Sequence, residues 1–139
     1  MFGKSILRIM EAMVNMEGLI NVFFVGVGGM LGSASRSLLT LLPIKVENSF
    51  PVITFAINIT GAFCIGLIIA LTGKHVNVPP RLVLFLKVGL CGGFTTFSTF
   101  SAEALQLIQS GKYLVAFLYM VLSVALCVAA AAVAQVIVN

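Results

Sequence analysis

Four stretches of this 139-residue chain contain no charged side chain: residues 18–35, 48–73, 88–102 and 113–139. No other feature of the sequence narrows the fold so far. A helix rises about 1.5 Å per residue, so it needs about 20 predominantly apolar residues to cross the hydrocarbon core of a bilayer. The second and fourth stretches exceed that length and the first meets it narrowly. The third meets it only if Lys87 and Glu103 lie near its ends or inside the protein. Only 9% of the residues are charged and 60% are hydrophobic, whereas soluble domains carry about 25% charged residues. Too few polar side chains remain to cover a water-soluble globule, so the solvent is lipid. The expected fold is an all-α integral membrane protein with four transmembrane helices over residues 19–42, 50–73, 82–109 and 113–138, after a leader at 1–17. The four-helix unit, 18–139, leaves no room for a separate soluble domain, and it places the chain as a multi-pass protein of the cell's inner or plasma membrane.

The net charge of +4 is scattered over loops and ends, which argues against a nucleic-acid partner. Cys64, Cys91 and Cys127 fall on three different spans at spacings that fit no metal motif; they read as small buried hydrophobes. His75 is the only histidine and lies in a loop, away from any acid–base partner. In the leader, Phe2, Ile6, Ile9, Met10 and Met13 recur at helical spacing opposite Lys4, Arg8 and Glu11. This leaves two readings: a short amphipathic helix lying in the membrane interface, or an incidental leader ahead of a start at Met13 or Met16. Loop lysines and arginines are nearly balanced, with Lys4, Arg8, Lys74, Arg81 and the deeper Lys87 on one side and Arg36, Lys45 and Lys112 on the other. Orientation follows an excess of such charges, so a chain without one is expected to insert both ways.

Small residues mark where helices meet. The first span holds Gly26, Gly28, Gly29, Gly32, Ser33 and Ser35, and its Gly28–Gly32 spacing is a GxxxG that lets backbones approach closely in lipid. Arg36 follows by a turn, and it either snorkels to the interface or faces a water-filled entrance. Asn58 sits near the middle of the second span among Thr60, Gly61, Ala62 and Gly66. It serves either as a hydrogen-bonded link between helices or as a donor toward an anion, since its amide carries two N–H groups.

The third span is the most informative. Gly89-Leu-Cys-Gly-Gly-Phe-Thr-Thr-Phe-Ser-Thr-Phe-Ser101 is rich in poor helix formers, and the pair Gly92-Gly93 is expected to unwind mid-membrane. Irregular backbone at that depth is tolerated only inside protein or along a cavity, and unwound carbonyls can coordinate a small cation. Beyond the break Phe97 and Phe100 stand three apart, as do Thr96 and Thr99, so each pair shares a helix face. Aromatic ring edges carry partial positive charge, which suits them to a small anion.

These segments together resemble the Fluc (CrcB) family of fluoride channels over residues 26–135. The resemblance rests on Gly28-Gly-Met-Leu-Gly-Ser-Ala-Ser-Arg36, on Asn58-Ile-Thr-Gly61 with Phe63 and Gly66, and on Gly92-Gly-Phe-Thr-Thr-Phe-Ser-Thr-Phe-Ser-Ala-Glu103. It implies an antiparallel, dual-topology dimer, formed with a second copy or with a paralogous subunit. It also implies two fluoride pores per dimer and a structural sodium ion at the dimer centre, held by backbone carbonyls matching Gly92 and Thr95. Asn58 matches the pore asparagine, and Phe97 and Phe100 match the phenylalanines along the fluoride path. Thr99 and Ser123 are candidates for a polar track beside them. Cys127 stands where relatives often carry a further serine, and a thiol is the poorer donor. The implied activity is passive export of cytoplasmic fluoride, which lowers fluoride toxicity.

Two other readings have different requirements. A small multidrug-type proton-coupled antiporter needs a titratable carboxylate within the membrane, yet of Glu11, Glu17, Glu47 and Glu103 only the last approaches a span. A structural subunit of a membrane complex accounts for the small residues but not for the glycine pair followed by Thr, Ser and Phe. No nucleophile–base pair or metal cluster points to an enzyme.

Overall fold

The computed structural model describes residues 2–44, 50–74 and 77–138, with side chains from Met13 onward. Lys45, Glu47, Asn48 and His75 of the two loops lie outside the described residues, as do the side chains of the leader's Lys4, Arg8 and Glu11. The described chain is helical between its turns. Helix α1 runs over Phe2–Thr40 and α2 over Val52–Gly73. Helix α3 is composite: Pro80–Val83 starts it, Leu84–Cys91 continues as a π-helix and Gly92–Phe94 closes it. Helix α4 covers Phe97–Gln109 and α5 covers Tyr113–Val138.

Four segments are long and apolar enough to cross a membrane: Met13–Thr40, Val52–Gly73, Pro80–Gln109 and Tyr113–Val138. They coincide with the four expected spans to within a few residues, the largest differences being at the start of the first. Pro80 occupies the first helical position of α3, where a missing N–H costs nothing. Gly111, with φ 74°, makes the turn between α4 and α5, and Lys112 N returns a bond to the Leu107 carbonyl. The leader is helical, but it continues into the first span without a break. At 39 residues, α1 reaches about 58 Å, roughly twice the hydrocarbon thickness.

Large apolar side chains cover much of the outer surface, as lipid requires, and the interior is built from small residues. Helix α1 packs on α3, and α2 packs on α5. Between the first pair, two GxxxG steps face each other: Gly28 and Gly32 on α1, Gly89 and Gly93 on α3. A Cβ on Gly93 would lie 2.5 Å from the Gly29 carbonyl oxygen, and one on Gly89 would lie 2.8 Å from that of Val25. On α2, a Cβ on Gly66 would lie 2.5 Å from the Ala131 carbonyl of α5.

This packing corrects the expected place of the break. Gly92 is helical (φ −64°, ψ −37°), and the extended residues are Thr95 (φ −74°, ψ 156°) and Thr96 (φ −149°, ψ 112°). The glycine at 93 is there for contact with α1. The two threonines, β-branched and content in extended backbone, interrupt the helix near the middle of the 30-residue third span.

Candidate functional site

The interruption is held by a side chain from another helix. Thr96 N donates to Asn58 Oδ1 at 2.8 Å, and Asn58 Nδ2 donates to the Thr96 carbonyl at 3.2 Å. The amide of Asn58 thus pairs with one backbone residue much as a neighbouring strand would. Its orientation follows from the partners, because a backbone N–H only donates and a carbonyl only accepts. Thr96 also starts α4: its Oγ1 accepts from Thr99 N at 3.2 Å, an N-cap. Behind the break, Thr95 N and Thr95 Oγ1 both donate to the Cys91 carbonyl, at 3.0 and 2.9 Å.

The carbonyls of Gly92 and Thr95 are among those that lose their usual partners as a result. In an unbroken helix the N–H groups of Thr96 and Thr99 would bond the carbonyls of Gly92 and Thr95. Both N–H groups are turned instead to side chains, Asn58 Oδ1 and Thr96 Oγ1. Gly92 and Thr95 are the two residues singled out by resemblance for a cation, and Gly92 is exposed. Among the described residues no cluster of His, Cys, Asp or Glu could hold a metal. An ion here would therefore be held by neutral oxygens.

On the other side of the break lies a cavity of about 380 Å³ lined by Asn58, Thr95, Thr96, Phe97, Phe100, Ser123 and Cys127 with apolar neighbours. It gathers four of the five residues expected along the anion path. Phe100 is buried at 9% exposure and Phe97 stands open at 78%; their ring centroids are 5.5 Å apart and tilted by 40°. Ser123 is 5% exposed, and among the described residues its Oγ has no hydrogen-bond partner. A buried unpaired hydroxyl costs about 1–3 kcal/mol. Thr99, the fifth candidate, is not among the lining residues; its Oγ1 accepts from Thr96 Oγ1 at 3.0 Å. Arg36 sits elsewhere again, half-buried on α1, with Nε donating to the Gly93 carbonyl at 3.4 Å beside Ser33 Oγ at 3.3 Å.

Three further residues adjoin this site and were not singled out from the sequence as part of it. Tyr119, fully buried, packs its ring 5.0 Å from that of Phe100 and donates from its hydroxyl to Glu103 Oε2 at 2.7 Å. Thr54 donates to Glu103 Oε1 at 2.8 Å. A signal existed: Tyr119, Ser123 and Cys127 recur every four residues, one stripe on α5. The one acid that approaches a span is thus satisfied by two hydroxyls rather than left open.

Comparison with known proteins follows the same residues. The family model described as CrcB-like protein, Camphor Resistance (CrcB), matches residues 23–135. A fluoride-specific ion channel FluC of Flavobacterium psychrophilum is 50% identical over 104 residues, covering 74% of this chain and 84% of that protein. The protein of the same description from Ruminiclostridium cellulolyticum is 46% identical over 113 residues, covering 81% and 87%. The one from Shewanella woodyi is 44% identical over 109 residues, covering 78% and 87%.

Proposed function

Because the chain belongs to the CrcB-like family, we propose that its cavity is the path by which fluoride leaves the cell. The protein is a multi-pass membrane channel for fluoride and not an enzyme. Neither the antiporter nor the structural-subunit reading finds support among its relatives.

The observation that carries the path is the unpartnered Ser123 hydroxyl facing a cavity that Asn58, Phe97 and Phe100 also line. Fluoride is small and gives up its water reluctantly, so a path must offer donors in exchange. The Asn58 amide has two N–H groups and one is taken by the Thr96 carbonyl. The second, the Ser123 hydroxyl and the ring edges of the two phenylalanines make up the set. Cys127 adds a thiol where a hydroxyl would donate more strongly. Movement is passive: an inside-negative potential drives the anion outward at about 2.3 kcal/mol per charge per 100 mV.

The carbonyls of Gly92 and Thr95 fit a structural sodium ion, which would replace the N–H partners these oxygens have lost. We place the ion between two antiparallel copies of the chain, or between this chain and a paralogue, in the cell's inner or plasma membrane. The balanced loop charges, the exposed Gly92 and the open Phe97 support a second subunit closing this side. Fluoride efflux from liposomes holding the purified protein, read with a fluoride electrode, tests the function. The parent is expected to release fluoride and retain chloride, while Asn58→Ala and Phe97→Ile slow the release. A parent without fluoride-specific flux refutes the channel; full flux in both variants refutes this path.

A further inference from the structure

Arg36 brings a permanent positive charge onto the interrupted turn. Its Nε bonds the Gly93 carbonyl at 3.4 Å, and Ser33, one turn earlier on α1, donates to the same oxygen at 3.3 Å. Gly93 lies between Gly92 and Thr95, whose carbonyls lose their helical partners to the Asn58 clamp and the Thr96 cap. The guanidinium can reach this turn because α1 and α3 touch through glycine, with a Cβ on Gly93 only 2.5 Å from the Gly29 oxygen. The carbonyl end of a helix carries about half a negative charge. The one acid on this span, Glu103, takes hydrogen bonds from Thr54 and Tyr119.

We infer that Arg36 sets the valence of the cation held by the neighbouring carbonyls, admitting a monovalent ion and rejecting a divalent one. This rests on the reading of Gly92 and Thr95 as a cation site. Two arguments from charge lead to it. Calcium and magnesium sites draw on carboxylates to repay dehydration, and among the described residues no acid cluster of that kind exists. A fixed guanidinium then repels an ion in proportion to the ion's charge, so a divalent ion suffers twice the penalty of a monovalent one. The bond from Arg36 to a carbonyl of the same turn holds its charge beside the two carbonyls. Arg36 does not touch the ion. It acts on selectivity through the field at the two carbonyls.

A purely structural cap makes the opposite prediction for the same variant, and this decides the test. The full-length protein, purified in detergent without sodium, is heated while ellipticity is followed over a series of NaCl and CaCl2 concentrations, with N-methyl-glucamine chloride holding ionic strength. The parent is expected to be stabilised by Na+ and not by Ca2+. Arg36→Gln, which keeps donors but removes the charge, is expected to reach half its Na+ shift at on the order of tenfold lower concentration and to gain a Ca2+ shift. Arg36→Lys is expected to keep the parent's pattern, and Ser33→Ala, which removes a neutral donor from the same carbonyl, to hold the Na+ midpoint within about twofold. An Arg36→Gln midpoint equal to or higher than the parent's overturns the inference and leaves the cation site standing. A parent stabilised equally by Ca2+ overturns it without any variant, which covers the case in which Arg36→Gln does not fold. A parent that responds to neither ion refutes the cation site and the inference together.

Discussion

Asn58 does two things that a single substitution can separate. Its amide makes both hydrogen bonds to Thr96, at 2.8 and 3.2 Å, and one N–H remains for the cavity. In its neutral acid form, Asn58→Asp keeps the clamp: one oxygen accepts from Thr96 N and the acid O–H donates to the Thr96 carbonyl. What it lacks is the spare N–H. Asn58→Ala removes all three hydrogen-bonding groups and strands a buried N–H and a buried C=O at Thr96, which is 8% exposed. Each stranded group costs about 1–3 kcal/mol, so the alanine variant should lose about 2–6 kcal/mol of stability. The aspartate variant should lose much less. Conduction should behave differently: a hydrogen bond to a charged partner is worth about 1.5–3 kcal/mol, so deleting the spare donor slows fluoride about 10- to 100-fold. Thermal unfolding in detergent and electrode-monitored efflux from liposomes read the two effects on the same preparations. Parent-like flux in Asn58→Asp would refute the donor role and leave Asn58 as a clamp alone. Equal stability of the Ala and Asp variants would refute the clamp.

Gly93→Ala places a methyl 2.5 Å from the Gly29 carbonyl, so α1 and α3 must separate; unfolding should come at lower temperature by an amount corresponding to about 1–3 kcal/mol. Gly26→Ala meets nothing within 4 Å and should be neutral or stabilising by up to about 1 kcal/mol in the same measurement. Tyr119→Phe removes the donor to Glu103 Oε2 while keeping the ring on Phe100; a loss of about 1–3 kcal/mol is expected, with the protein still helical by circular dichroism. Cys127→Ser exchanges a weak donor for a stronger one in the cavity wall, and fluoride efflux should rise, with parent-like or slower efflux counting against a place for Cys127 on the path.

The four spans were legible because lipid imposes a length and an apolarity that no packing detail can override, and the GxxxG step on α1 was legible because small residues have few other uses there. The break was legible in kind and misplaced in position. Reading propensity alone, Gly92-Gly93 is the weakest helical point; in the structure those residues stay helical, because α1 leaves no room for a side chain at position 93 and stacks backbone against backbone there. The chain opens two residues later, at the threonines, where Asn58 supplies partners for the freed N–H and C=O of Thr96. Nothing local in residues 92–100 reveals that choice, since the decisive groups lie on α1 and α2, more than thirty residues away. The Glu103 group was hidden likewise, because it needs Thr54 and Tyr119 from two other helices. The two readings of Asn58, a link between helices or a donor to an anion, also cease to compete once its partners are counted. An amide with one acceptor and two donors can lock Thr96 with two of the three and still offer the third. By that lock the carbonyls of Gly92 and Thr95 are freed while Phe97 and Phe100 are set along the cavity. Removing the Asn58 side chain, as in Asn58→Ala, should therefore disturb the backbone oxygens and the anion path together, whereas a change at either phenylalanine should disturb the path alone.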